Sequence, residues 1–216
     1  MKVTNDKPLQ KPTVDLVLEE EKFFDKENAA TENALTWLFR QFPRNTEKFQ
    51  VLLKVTAINQ LYSTNIYAVR LVANQIADLD IDSKLDTGSI KLVDDISRVR
   101  VGADKQRYNL SFACKYCSWH RPESYAIYDS RARECLWAYK RQFDLSFTIN
   151  DLWEYSSFFK AIKDFQDRFD LRRLSFKQID KLLYRKGGDL LDARKQIKNA
   201  ANEAGVSENP SASRMS

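Results

Sequence analysis

Histidine occurs once in this chain, at His120, and cysteine three times, at Cys114, Cys117 and Cys135. One histidine and no nucleophile elbow leave nothing from which to infer a Ser-His-Asp arrangement. An odd cysteine count cannot form a closed disulfide framework and fits a reducing compartment. It also excludes a cluster held by four thiolates within this chain. The spacing Cys114-x-x-Cys117-x-x-His120 invites a zinc reading. On one helix, however, Cys114 and His120 point about 120° apart, and three ligands there do not close a tetrahedron. The cysteines therefore read as packed side chains, and neither a metal nor a cofactor is expected.

Glycine and proline number five each. So few chain-breakers suit long helices and argue against a turn-rich β architecture. No Gly-rich phosphate-cradling loop is present, which disfavours P-loop chemistry. No apolar run approaches the roughly 20 residues of a membrane helix. Met1–Pro12 is polar and lacks the apolar stretch of a secretory signal. These absences predict a cytoplasmic protein without a membrane partner, or a nucleoid or nuclear one if it binds DNA.

Aromatic and basic residues are what the chain has in quantity. Thirteen Phe, nine Tyr and four Trp in 216 residues supply a real core. The net charge of +5 permits a polyanionic partner. Helical spacing dominates the pattern. Residues 14–28 predict a first helix, with the acidic block Glu19–Glu21 in solvent. Thr31 predicts the start of a second helix, which Pro43 ends. Further helices follow Thr46, the polar break Tyr62-Ser63-Thr64-Asn65, and Ser89. Asp80–Gly88 reads as a loop, and Arg98–Arg107 as a basic turn around Gly102.

Helices are also predicted over Tyr108–His120, Ser130–Phe143 and Asp151–Phe169. Thr148/Asp151 and Ser175/Gln178 have capping-box spacing. Gly187-Gly188 is a stop signal, followed by a weak helix over Asp189–Ala204. No internal repeat and no period-two strand pattern stand out. The class is all-α: a mobile arm over residues 1–13, a helical domain over 14–186, and a weak helix with a disordered tail over 187–216.

The chemistry concentrates in Ser111–Ala132, SFACKYCSWHRPESYAIYDSRA. It joins the end of an amphipathic helix to Asp129 at the start of another. Lys115 lies on the edge of an aromatic face formed by Tyr108, Phe112, Tyr116 and Trp119. A partly desolvated lysine there is a candidate nucleophile. The plain alternatives are a snorkelling lysine and an N-capping aspartate. His120, at a helix end, reads as a partner for last-turn carbonyls. Backbone N–H groups after the basic turn, with Arg98, Arg100, Lys105 and Arg107, could hold a DNA phosphate.

The order of these features resembles the helix-hairpin-helix DNA glycosylase superfamily, of the oxoguanine and adenine glycosylase type, over roughly Thr31–Phe143. The resemblance implies a multi-helix domain with a helix-hairpin-helix-like element over Ser89–His120. The stretch INQLYSTNIYAVRLVANQI is similar to the family's polar DNA-facing loop, which implies contacts from Asn59, Tyr62, Thr64 and Asn65 with double-stranded DNA. The segment AIYDSRA is similar to the family's Pro-Val-Asp approach and places Asp129 at the catalytic aspartate. Trp119, Tyr116 and Tyr128 are then the candidates to stack on an extruded base.

Two departures are visible. The hairpin lacks the Leu-Pro-Gly-x-Gly turn and keeps only Gly102. The lysine of bifunctional members falls near Leu110, whereas Lys115 lies further along the same helix. The implied activity is extrusion of a modified base and cleavage of its N-glycosidic bond. The alternatives are a non-catalytic DNA-binding module and a protein-interaction module. The sequence leaves the oligomeric state open.

Overall fold

A computed structural model describes residues 8–102 and 105–206 of the chain. The described residues form nine α-helices, one 3-10 turn and one two-stranded ribbon. In order, α1 spans Val14–Gln41, α2 Lys48–Leu61, α3 Val69–Asp78, α4 Asp82–Asp86 and α5 Lys91–Ser97. Strands β1 (Arg98–Arg100) and β2 (Gln106–Tyr108) follow, then α6 (Leu110–His120) and α7 (Ser130–Phe143). A 3-10 turn at Asn150–Leu152 leads into α8 (Tyr155–Arg168), and α9 spans Phe176–Val206.

The innermost helix is α6. Leu110 and every residue from Phe112 to Ser118 are buried, so it is enclosed on all sides as a core helix must be. Helices α1, α2 and α5 pack around it. A second group is formed by α7, α8 and α9, with α9 lying against both α7 and α1. The two groups meet mainly where α9 lies against α1.

The first helix is continuous where two were expected. Thr31 does not cap a new helix, and α1 runs unbroken for 28 residues. The amide of Asn28 bonds back to the Phe24 carbonyl at 2.9 Å, so it does not open a turn. Nor is the acidic block left wholly in solvent. Glu20 is buried against Arg185 and Lys186, and Glu21 meets Lys181 at 3.2 Å. Asp25 pairs with Lys181 and Glu32 with Lys177, both at 2.6 Å. The order of these pairs shows α1 and α9 running antiparallel.

The Gly187-Gly188 stop is also overturned. Helix α9 continues through it because the glycines serve helix packing. A Cβ on Gly187 would lie 2.1 Å from the Arg131 carbonyl oxygen. The basic turn is an antiparallel ribbon, with Arg98 opposite Tyr108 and Arg100 opposite Gln106. The expected loop at 80–88 contains α4.

The Ser175/Gln178 capping box forms, with Gln178 N donating to Ser175 Oγ at 3.3 Å, whereas the Thr148/Asp151 pair bonds without capping α8, which starts at Tyr155 and not at the expected Asp151. Thr148 donates to Asp151 from N and Oγ1 at 2.7 Å, and Ser175 N donates to Gln178 Oε1 at 3.0 Å. Of the expected arm, residues 1–7 lie outside the described residues, as does the tail from residue 207. Leu9 is tied to α7 by two hydrogen bonds with the Gln142 side chain, at 2.9 and 2.7 Å.

Candidate functional site

Burial of α6 determines what its one lysine can do. Lys115 is 4% exposed. Its Nζ donates to Ser111 Oγ one turn back at 2.8 Å and lies 3.9 Å from Asp129 Oδ2. Asp129 is the N-cap of α7, its Oδ1 accepting from Ala132 N at 2.8 Å. The carboxylate is therefore divided: one oxygen holds the helix start and the other meets the lysine.

The approach to Asp129 is anchored from below. Tyr128 N donates to Cys114 Sγ at 3.0 Å, and Tyr155 OH donates to the Ala126 carbonyl at 2.9 Å. Burial pushes the Cys114 thiol up to about 12, so it is a neutral anchor at physiological pH. Cys117 and Cys135 are likewise free, buried and raised by burial. No group of three or more His, Cys, Asp or Glu side chains among the described residues could hold a metal ion.

Lys115 and Asp129 line a cleft of about 640 Å³ between the two helical groups. Thr31 and Glu32 of α1, the loop Tyr62–Asn65, and Lys177, Asp180 and Tyr184 of α9 also line it. Tyr62 OH donates to Glu32 Oε1 at 3.3 Å and accepts from Trp119 Nε1 at 3.2 Å. Burial, and then Glu32, raise the Tyr62 hydroxyl far above its ordinary range. Lys115 lies 5.6 Å from the centre of the Tyr62 ring, within cation–π range. Lys177 sits 3.9 Å from the Trp119 ring centre while paired with Glu32. Asp180 is held well above the usual carboxylate range by burial and by Asp129.

The structure thus brings Lys115, Asp129, Tyr62, Thr64, Asn65 and Tyr128 to one cleft. Asn59 does not line it but holds the loop that does. Its Oδ1 accepts from Thr64 Oγ1 at 2.9 Å and Ile66 N at 2.8 Å, and its Nδ2 donates to the Ile66 carbonyl at 3.1 Å. These bonds fix a loop in which Ser63 and Asn65 take left-handed φ values of 49° and 57°.

Tyr116 is a correction. It is fully buried, its hydroxyl donates to Asn45 Oδ1 at 2.5 Å, and it has no face for a base. Trp119 lines a neighbouring depression with His120 and Arg121. The last turn of α6 is capped by Arg121 N to the Cys117 carbonyl. His120 instead meets Asn45 Oδ1 at 3.1 Å, and burial holds its pKa far below the usual value.

The basic ribbon stands beside the cleft. Arg98, Arg100, Lys105 and Arg107 are exposed. Arg98 and Arg107 line a separate depression with Trp153. The two are bridged by Arg133, which lines the cleft and stacks 4.0 Å over the Trp153 ring. Arg107 lies 5.3 Å from the ring centre of Tyr67, which is 81% exposed just beyond the cleft loop.

Glu32, Lys177, Asp180 and Tyr184 were missed from sequence. A signal existed, because Lys177, Asp180, Lys181 and Tyr184 recur at i, i+3, i+4, i+7, a polar face on a helix.

The HI_0787_N family model, described as an N-terminal domain, matches residues 4–124. The chain belongs to the HI_0787_N family. An uncharacterized protein of Haemophilus influenzae is 40% identical over 126 residues, covering 57% of this chain and 62% of that relative. The chain thus spans less than two thirds of the length of the relative it matches. No solved structure matches it. The HI_0787_N match runs through α6 and so includes Glu32, Tyr62 and Lys115, whereas Asp129 and Asp180 lie beyond it.

Proposed function

We propose that the cleft receives a base extruded from double-stranded DNA and cleaves its N-glycosidic bond. The observation that carries this reading is the 3.9 Å approach of Lys115 to Asp129 in the cleft that the Tyr62–Asn65 loop also lines. A volume of about 640 Å³ suits one nucleoside-sized group. The exposed arginines of the ribbon, and Arg133 between ribbon and cleft, supply phosphate contacts beside it. The helix-hairpin-helix-like element of this reading is α5 and α6, which pack together, joined by the β-ribbon in place of a tight turn.

Extrusion costs a few kcal/mol and needs a pocket to hold the base. When the C1′–N bond breaks, its electron pair leaves with the base and positive charge develops on the sugar. Asp129 Oδ2, held in position by Lys115 Nζ at 3.9 Å, stabilises that charge and accepts the proton of a water that attacks C1′. In a lyase variant, Lys115 Nζ attacks C1′ and its proton passes to Asp129.

The hydrogen bond of Asp129 to Ala132 N favours a second reading, in which the aspartate only caps α7 and the chain is a non-catalytic DNA-binding module. Base release on a panel of modified duplexes separates the two. The first reading expects release that Asp129→Asn abolishes. Salt-dependent duplex binding without release on any substrate supports the second.

A further inference from the structure

Asp180 Oδ1 is the one buried side-chain polar atom without a hydrogen-bond partner among the described residues. It belongs to a residue that lines the cleft. The cations nearby are committed elsewhere. Lys177 pairs with Glu32 at 2.6 Å, and Lys181 with Glu21 and Asp25 at 3.2 and 2.6 Å. Lys115 is held by Ser111 and Asp129.

An anionic oxygen sealed from water without a donor carries a large desolvation cost. A neutral carboxyl does not, because its sealed oxygen is then a carbonyl. With Oδ1 sealed, Oδ2 is the edge that Asp180 can offer to the cleft, and in the neutral acid it carries a proton to donate. The surrounding charges agree. Asp129 at the start of α7 and Glu32 on α1 oppose a third anion, while Lys115 on α6 and Lys177 on α9 favour it but are already paired. Tyr62 and the Cys114 thiol also lie within electrostatic reach of Asp180, both as neutral groups. The cleft is lined by the tyrosines Tyr62, Tyr128 and Tyr184, whose rings can stack on a planar ligand.

We propose that Asp180 is a recognition residue, a neutral acid that donates a hydrogen bond to a carbonyl oxygen or ring nitrogen of a planar heterocycle bound among the cleft tyrosines. This rests on the base-pocket reading above and assigns it a group that reads the base. Catalysis of bond cleavage is not required of Asp180.

The experiment is equilibrium binding of free 1-methyluracil and 9-methylhypoxanthine to the full chain without DNA, followed by calorimetry across pH. Wild-type affinity should hold at low pH and fall as pH rises and the Asp180 carboxyl, held above the usual carboxylate range by burial, ionises. Asp180→Asn, whose amide donates at every pH, should bind with a flat pH profile. Asp180→Leu should bind at least about 10-fold more weakly, the loss expected for one hydrogen bond in a closed site. A thermal melt of Asp180→Asn checks that folding is retained.

Equal affinity in Asp180→Leu overturns the proposal, as does affinity that rises with pH, or no binding of either heterocycle by the wild type. Asp180-dependent binding by a protein that releases no base from DNA keeps this inference and removes bond cleavage. Base release that ignores Asp180 does the reverse.

Discussion

Gly187 passes the backbone carbonyl of Arg131 so closely that a Cβ would lie 2.1 Å from its oxygen. The adjacent Gly188 meets only the Arg131 side chain, at 3.3 Å. Glycine inside a helix ordinarily costs about 1 kcal/mol relative to alanine. Gly187→Ala should nevertheless destabilise the fold by roughly 2–4 kcal/mol, because backbone must move apart where α7 and α9 cross. Gly188→Ala should be neutral or stabilising by up to about 1 kcal/mol, since an arginine side chain can swing aside. Urea denaturation of the two variants checks the contrast, and equal effects would contradict it.

Lys54 is the fully buried cation of α2. Its Nζ donates to the Phe42 and Arg44 carbonyls at 3.0 and 2.8 Å and to Asn45 Oδ1 at 2.7 Å, tying down the chain that leaves α1. Lys54→Met should cost about 3–5 kcal/mol, as removal of one partner from a buried polar network does. Burial lowers the Lys54 pKa from 10.5 to about 8. Between those values the unfolded chain binds more protons, so wild-type stability gains a rising contribution with pH there. Denaturation of Lys54→Met across this window should show that contribution gone.

Asp180 gives the opposite slope. Its folded pKa lies above the ordinary value of 3.8, so the folded chain holds a proton that the unfolded chain releases. Stability falls as pH rises from the unfolded value towards the folded one. Asp180→Asn should therefore raise the melting temperature of the protein at pH near 8. The gain should shrink as pH falls and vanish well below 3.8, where both states hold the proton, and thermal melts at the two extremes test it. A gain independent of pH would point to packing rather than titration.

What could be read in the sequence followed the reach of each signal. The bounds of α7 and the Ser175/Gln178 capping box rest on neighbours within four residues, and they appear as expected. Lys115 and Asp129 were legible as a pair because the segment 121–129 joins their two helices directly and returns Asp129 to within 3.9 Å of Lys115. The β-ribbon escaped notice because strands of three residues are too short to show alternation. Thr31 and Gly187 misled for one reason: each is a local punctuation residue used for a distant contact. Thr31 lines the cleft, and Gly187 admits the Arg131 backbone. Lys54 and Asp180 are polar residues on faces that tertiary packing closed, which helical spacing alone does not reveal.

The proposed cleavage requires Lys115 and Asp129 to act together on a base taken from DNA. Single-turnover base release from a modified duplex, compared across wild type, Lys115→Gln, Asp129→Asn and the double variant, tests it most directly. Residues that work as one unit lose about as much singly as together, so a similar collapse of the rate is expected in all three variants. Full release by either single variant, or no release from any duplex by the wild type, would contradict it.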